Sequence, residues 1–184
     1  MKTKLAKDLM IPLADYATVS DEATLFDAVT ALEKAQQKFD KSRYHHRAVL
    51  IYNANKQIVG KISQLDILRA LEPKYDKMGE AKHMSSLGFS KKFLASLLNQ
   101  YSLLSMPMRD ICHKASEIKI KNFMHIPSEG EYIDENATLD LVIHTLIMGQ
   151  HQSLLVTREK VILGILRLTD VFNEISETMK SCNI

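Results

Sequence analysis

The sequence predicts an α/β fold made of two similar units of about 60 residues each, with a helical segment between them. Three pairs of matching stretches support this prediction, because they occur in the same order in both halves of the chain. The pairs are residues 9–29 with 123–143, residues 45–51 with 149–156, and residues 59–68 with 163–172. One such match could arise by chance, whereas three in the same order indicate a duplicated unit.

The spacing between matching residues changes along the repeat. Met10 pairs with Met124 at an offset of 114, while His46, after the first helix, pairs with His151 at an offset of 105 and Gly60 with Gly164 at an offset of 104. The first copy therefore contains about nine additional residues between its first helix and the following strand, around residues 34–44.

Each copy has the pattern strand, helix, strand, strand, helix. A short extended segment precedes the expected helix caps Ser20 and Asp134, and the last helix is expected to begin near Leu65 or Leu168. The first helix of each copy has an apolar face at helical spacing. This face consists of Leu25, Val29 and Leu32 in the first copy and of Leu139, Val142, Ile143 and Leu146 in the second. Both faces suit the contact of a homodimer.

Composition and charge narrow the functional classes. Hydrophobic residues make up 46% of the 184 residues, enough for a core, and the net charge of +2 lacks the basic excess of a typical nucleic-acid-binding protein. There is no apolar run of about 18 to 20 residues, so no membrane partner is expected. The N-terminus does not resemble a signal peptide, and Cys112 and Cys182 predict no disulfide framework. These features predict a soluble cytoplasmic protein.

The repeated motif is GKISQLDIL at residues 60–68 and GILRLTDVF at residues 164–172. A strand that ends at a helix N-terminus presents free N–H groups, which suit a phosphate, and the Ser63 hydroxyl adds a donor. A carboxylate three residues later, at Asp66, can accept hydrogen bonds from the hydroxyls of a ribose. The glycine would allow a close approach of the backbone to a ligand. Alternatively, Asp66 and Asp170 cap their helices, and Arg167 is a solvated charge at a strand end.

These motifs resemble the CBS domain, named after cystathionine β-synthase, over residues 5–71 and 117–179. Two copies in tandem resemble a CBS pair, also called a Bateman module. The resemblance implies a pseudo-twofold module of two β-α-β-β-α repeats with two clefts, which bind adenosine nucleotides in many members. Residues 72–116 would then be an inserted helical connector.

The resemblance also implies roles for individual residues. It gives the ribose contacts to Asp66 and Asp170 and a phosphate contact to Ser63. His46 and Arg47 resemble a phosphate-facing pair in the gamma subunit of AMP-activated protein kinase, and His151 with Gln152 stands at the matching place in the second copy. The expected ligand-binding set is Ser63, Asp66, Asp170, Arg167, His46, Arg47, His151, Thr18 and Tyr132.

The two clefts are not expected to be equal. The resemblance implies that the basic pair of one repeat faces the aspartate of the other repeat. Arg47 and Arg167 would therefore lie near the ligand of Asp170, and His151 with Gln152 near that of Asp66. The chain departs from the family pattern at Arg167, where serine or threonine is usual, and at Val49, where the gamma subunit has proline. A polyphosphate is expected to prefer the Asp170 cleft, because it would hold more positive charge.

The connector contains two helix candidates. Residues 90–104 have an apolar stripe at helical spacing, and a second helix is expected from Pro107. The stripe consists of Phe93, Leu94, Leu97, Leu98, Tyr101 and Leu104. It either packs on the module or forms a dimer contact, a lid or a docking face for a partner.

The sequence thus predicts a regulatory sensor of AMP, ADP or ATP that passes a conformational change to an unidentified partner protein and forms a homodimer. We expect no enzymatic activity, since no residues form a persuasive acid–base or nucleophile set. We expect no cofactor and no metal site, because the seven histidines lack metal-binding spacing. The alternatives are a structural or interaction protein without a ligand, and an S-adenosylmethionine binder.

Overall fold

The computed structural model describes residues 4–38, 45–72, 74–75, 90–101 and 110–181. The first half contains α1 (Ala6–Leu9), β1 (Ile11–Pro12), β2 (Thr18–Ser20), α2 (Leu25–Lys38), β3 (Ala48–Tyr52), β4 (Ile58–Ser63) and α3 (Gln64–Ala70). Two helices follow, α4 (Lys91–Gln100) and α5 (Ile111–Glu117). The second half contains β5 (Tyr132–Asp134), α6 (Leu139–Gly149), β6 (Ser153–Arg158), β7 (Val161–Arg167) and α7 (Leu168–Ser181).

The predicted order of elements occurs twice. In the first half, β2 pairs in parallel with β3, and β3 pairs antiparallel with β4. In the second half, β5, β6 and β7 pair in the same way. Thr18 faces Leu50 in one sheet and Tyr132 faces Leu155 in the other, so the repeat predicted from the sequence holds residue by residue.

The first helix of each repeat begins later than the sequence predicted. Ser20 and Asp134 end strands β2 and β5 instead of capping α2 and α6. Each of these side chains closes a turn: Ser20 Oγ accepts a hydrogen bond from the Glu22 N–H at 3.3 Å, and Asp134 Oδ1 accepts one from the Asn136 N–H at 2.8 Å. Serine and aspartate form such local turns readily, and this competes with their capping role.

The predicted apolar face is largely buried within the chain in the second repeat and only partly buried in the first. Leu139, Val142 and Leu146 of α6 are buried. In α2, Leu25 and Ala28 are buried, while Val29 is 42% exposed. The inner face of α2 is formed largely by small residues, which allow the helix to approach the sheet closely. Ala31, Leu32 and Ala35 complete this face.

The repeats exchange their N-terminal segments. Strand β1 of the first repeat pairs antiparallel with β7 of the second, with Ile11 opposite Ile165. In return, His125 of the second repeat pairs with Lys61 in β4, through N–H to O distances of 2.9 and 3.0 Å. The two repeats are therefore joined by reciprocal backbone hydrogen bonds under a pseudo-twofold relation.

The motif glycines serve this exchange. A Cβ at Gly164 would lie 2.3 Å from the Ile11 carbonyl oxygen, and a Cβ at Gly60 would lie 2.8 Å from Met124 Sδ. At both glycines the close approach is to residues of the other repeat, while the expected approach to a ligand remains a prediction.

The connector contains both predicted helices. In α4, whose N-cap is Ser90, none of the residues is buried, so the described part of the apolar stripe does not pack on the module. Helix α5 begins at Ile111 and packs against α2. Leu104 and Pro107 lie outside the described residues, as does the basic stretch 40–44. No helix in the described ranges is long and apolar enough to cross a membrane.

Candidate functional site

A cavity of about 730 Å³ lies at the junction of β4 and α3 and is closed by residues of the second repeat. We call it the cleft cavity. The first repeat contributes Arg47, Lys61, Ser63, Asp66 and Arg69, among others, and the second contributes His125, Glu131, His151, Gln152 and Arg167. Because both repeats form its walls, a ligand here would contact both.

Ser63 and Asp66 are fixed by a reciprocal set of hydrogen bonds at the start of α3. Asp66 Oδ2 accepts from the Ser63 N–H at 2.9 Å and from the Ser63 hydroxyl at 2.6 Å. Ser63 Oγ accepts in turn from the Asp66 N–H at 3.2 Å. This is a capping box, so the capping role considered for Asp66 is correct. The same residue also lines the cleft cavity, and its Oδ1 lies 3.7 Å from Arg69 Nη1.

A buried carboxylate connects the two repeats in the cavity wall. Glu131 of the second repeat forms an ion pair with Lys61 of the first, and its Oε1 lies 2.5 Å from His125 Nε2. Burial by itself would raise the pKa of Glu131, but the hydrogen bonds from Lys61, His125 and Ser128 outweigh burial and lower this pKa to about 2. Glu131 is therefore ionised at neutral pH.

Positive charge exceeds negative charge around the cleft cavity. Arg47, Lys61, Arg69 and Arg167 line it, against the carboxylates of Asp66 and Glu131 in the wall and of Asp170 behind Arg167. A concave surface with this balance attracts anions. In the described part of the chain, no three His, Cys, Asp or Glu residues are placed to hold a metal ion.

The second motif aspartate has a different environment. Arg167 Nε donates to Asp170 Oδ2 and Arg167 Nη2 donates to Asp170 Oδ1, both at 2.6 Å, and both residues are buried. Arg167 Nη1 lies 3.4 Å from Nδ1 of His46, whose ring packs edge-on against Tyr16 at 4.4 Å between ring centroids. Burial raises the pKa of Tyr16 to about 12, so its phenol is neutral.

The structure brings together only part of the predicted ligand-binding set. Ser63, Asp66, Arg47, His151 and Arg167 line the cleft cavity, and Gln152 lies there with Asp66 as the resemblance implied. The other four residues do not line it. His46 lines a neighbouring cavity of about 810 Å³ against α2, Thr18 lines one of about 590 Å³, Tyr132 lines one of about 620 Å³ between the two β-hairpins, and Asp170 is buried against Arg167.

Arg47 and Arg167 line the same cavity as Asp66, whereas the resemblance implied that they lie near the ligand of Asp170. Arg47 immediately precedes β3, so this strand begins at the cavity that Asp66 lines. The Arg167 guanidinium, expected to face a phosphate, instead holds the carboxylate of Asp170. The ligand-binding roles of these residues remain predictions.

Sequence reasoning missed the ion cluster of Lys61, His125 and Glu131. Ser128 and Glu131 form an S-x-x-E pattern, and in the structure they make a capping box at a short 3₁₀ turn. That pattern would have marked the turn. The ion pair of Glu131 with Lys61 depends on the strand exchange between the repeats, and no local sequence pattern indicates that exchange.

Comparison with known proteins agrees with this architecture. A family model described as the CBS domain matches residues 6–73. No curated protein gives a significant match. Many solved structures are similar in fold.

Three of these structures illustrate the similarity. A CBS domain-containing protein from Bacillus anthracis is 15% identical with a TM-score of 0.61, and the match covers 96% of this chain and 95% of that chain. CBSX2 in complex with AMP is 17% identical with a TM-score of 0.57, and the match covers 94% of this chain and 97% of that chain. The CBS domain of a bacterial CNNM/CorC family Mg²⁺ transporter in complex with ATP is 16% identical with a TM-score of 0.60, over 95% and 89%.

The structural matches extend over both repeats, while the family model covers the first. At these identities the structural likeness defines the fold, which is that of CBS-domain pairs. The repeated β-α-β-β-α unit, the motif at its β4–α3 junction and the family match lead to one conclusion: residues 6–73 match the CBS domain, and the chain has the fold of CBS-domain pairs.

Proposed function

We propose that this chain is a regulatory module that binds one adenosine nucleotide, AMP, ADP or ATP, in the cleft cavity. The observation that supports it best is the meeting of Ser63, Asp66, His151 and an excess of cationic side chains in one cavity formed by both repeats. Two proteins of similar fold were solved with AMP and with ATP. A binding role, and not a catalytic one, is part of this proposal, as is a cytoplasmic location.

The side chains of the cavity suit the parts of a nucleotide. Asp66 would accept hydrogen bonds from the ribose hydroxyls while Ser63 holds its second oxygen. Arg47 and Arg69 would bind phosphate, because a guanidinium offers a forked and permanently charged donor. His151 would add a contact from the second repeat.

Binding would be transmitted through the contact between the repeats. Lys61 is held by Glu131 at the cavity wall, and a phosphate would compete with this carboxylate for the Lys61 ammonium group. A ligand shifts a conformational equilibrium only if it binds one state better than the other. Rearrangement of the Lys61–Glu131 pair supplies such a difference between the two states, which a partner protein would sense.

Titration calorimetry with AMP, ADP, ATP, NAD and S-adenosylmethionine tests the proposal. We expect an adenosine nucleotide to bind, and Asp66→Asn to weaken that binding at least tenfold. The matched control is Asp27→Asn, because Asp27 forms a similar capping box with Thr24 at 2.7 to 3.2 Å but does not line the cleft cavity. If the two variants bind equally well, Asp66 is only a helix cap. If no compound binds at millimolar concentration, the structural or interaction role becomes the better explanation.

We also propose a homodimer, with a surface that differs from the predicted one. The faces from Leu25 to Leu32 and from Leu139 to Leu146 pack largely inside the chain, since Leu25, Leu139 and Leu146 are buried. Large apolar side chains on the outside of α6 and α7 remain exposed, among them Ile147, Met148 and Phe172. We expect light scattering to give twice the chain mass of 20.9 kDa, and Ile147→Lys to shift the mass to that of the monomer. The control is Val161→Lys, on an exposed hairpin, and an unshifted Ile147→Lys dimer would exclude this surface.

A further inference from the structure

We propose that Arg167 permanently occupies the counterpart of the Ser63–Asp66 site in the second repeat, so that the chain binds one nucleotide instead of two. The inference rests on the proposed function, because it concerns the number and position of the nucleotides. It makes Arg167 the residue that determines this number.

The two sites correspond residue by residue. Ala48 pairs with Ser63 in the first sheet, and Ser153 pairs with Arg167 in the second, so Arg167 stands at the place of Ser63. The start of the following helix is fixed alike in both repeats: the Gln64 N–H donates to the Arg47 carbonyl at 2.9 Å, and the Leu168 N–H donates to the Gln152 carbonyl at 3.0 Å. Asp170 is therefore the counterpart of Asp66.

The two carboxylates are held by different donors. Ser63 is short and binds one oxygen of Asp66, and this pair is half-buried at the cavity. Arg167 binds both oxygens of Asp170 at 2.6 Å, with 4% and 8% of the two residues exposed. The forked guanidinium thus donates to both oxygens, as the two hydroxyls of a ribose would. It also neutralises the carboxylate from within the protein.

The residues around the two aspartates also differ in size, with larger side chains around Asp170 than around Asp66. The register of the first strands places Gly130 at the position that corresponds to Tyr16. Tyr16 is buried against His46, and His46 lies beside Arg167. At Gly130, by contrast, an added Cβ would meet only His151 Nε2, at 3.7 Å. Large side chains therefore fill the Asp170 site, and small ones leave the Asp66 site open.

Calorimetry with ATP and AMP counts the bound nucleotides in the wild-type protein and in two reciprocal variants. We expect one nucleotide per wild-type chain. Arg167→Ser copies the first repeat, and the introduced serine can cap Asp170 as Ser63 caps Asp66. Because Arg167 already lines the cleft cavity, its removal extends that cavity toward Asp170, and we expect a second, weaker nucleotide.

Ser63→Arg is the reciprocal change and remains informative if Arg167→Ser does not fold. The introduced arginine should pair with Asp66 and abolish nucleotide binding. Ser63→Ala is its control, since it removes the hydroxyl without adding a side chain that occupies the site. We expect it to lower the nucleotide affinity less than tenfold. Thermal melting establishes that each variant is folded.

The outcomes separate this inference from the proposed function. Two nucleotides per wild-type chain, or Ser63→Arg that binds as well as the wild type, would overturn the inference while the proposed function stands. The inference also fails if folded Arg167→Ser binds no more nucleotides than the wild type. Binding by Arg167→Ser but not by the wild type would support the occupation of the Asp170 site by Arg167 and refute the proposed Asp66 site. No binding by any of the folded proteins counts against both.

Discussion

At the scale of single residues, Glu131 is a buried carboxylate whose ionisation contributes to stability. Its pKa lies at about 2 in the folded protein, against an ordinary value of 4.5. A lowered folded-state pKa contributes stability that is fully present above pH 4.5 and is lost as the pH falls towards 2. The shift corresponds to a contribution on the order of 3 kcal/mol at neutral pH.

We therefore predict that Glu131→Gln lowers the free energy of unfolding by about 2 to 4 kcal/mol at pH 7, because it leaves Lys61 beside a neutral partner. The difference from the wild type should shrink as the pH falls from 4.5 to 2, since the wild-type carboxylate becomes protonated there. Urea unfolding across this pH range measures both effects. Glu129→Gln, a neighbouring exposed acid, is the control and should change stability by less than about 0.5 kcal/mol. A difference that stays constant with pH would show that the Glu131 charge is not responsible.

Residue positions were easier to predict than residue partners. The repeat offset located Asp66 and Asp170 as equivalents, and the structure agrees. It gave no information on whether Arg167 faces a ligand or its neighbour three residues away, because both are compatible with the same backbone. Side-chain direction at a buried charge depends on the residues that surround it, here His46 and Tyr16 of the other repeat.

At the scale of elements, the exchanged strands explain why both motifs begin with glycine. Gly164 faces the backbone of β1, which cannot move without breaking the sheet, while Gly60 faces the flexible Met124 side chain at its closest point. The two equivalent glycines thus differ in the rigidity of their neighbours.

We predict that Gly164→Ala destabilises the protein by about 1 to 3 kcal/mol and that Gly60→Ala has a smaller effect, because overpacking is less costly where a side chain can shift. Chemical denaturation gives both values. Gly130→Ala serves as the control, since its Cβ would make only ordinary contact. Equal losses for Gly164→Ala and Gly130→Ala would mean that β1 does not approach β7 as closely as described.

The hairpins and the second repeat's helix face were predictable, whereas the exchange was not. Alternation and apolar runs identify strands and their direct neighbours along the chain, as for β3 with β4 and β6 with β7. Strand β1 has only two residues and pairs with a strand more than a hundred residues away. Its sequence contains no periodicity from which a partner could be derived.

At the scale of the whole molecule, the exchange couples the stabilities of the two repeats. Ala6, at the start of the chain, is buried in the core of the second repeat, and Ile120 is buried in the core of the first. Neither core is complete without residues from the other half.

We predict a single cooperative unfolding transition, with equal calorimetric and van't Hoff enthalpies, despite the two-repeat sequence. Differential scanning calorimetry provides the test. As a comparison, a chain that lacks residues 1–12 should lose order in the second repeat first, because its core loses Ala6 and its sheet loses β1. Two separate transitions in the full chain would show that the repeats unfold independently.

The exchange also sets an order of events during synthesis on the ribosome. The first repeat is complete in sequence at α3, but Ile120 and the segment at His125 that close its core and sheet are made later. At about 5 to 20 residues per second, this delay lasts roughly 3 to 11 s. Over that interval β4 presents an unpaired edge, and residues 4–12 have no partner because β7 has not yet been synthesised. We expect the nascent chain to depend on chaperones in this window more than its modest size suggests.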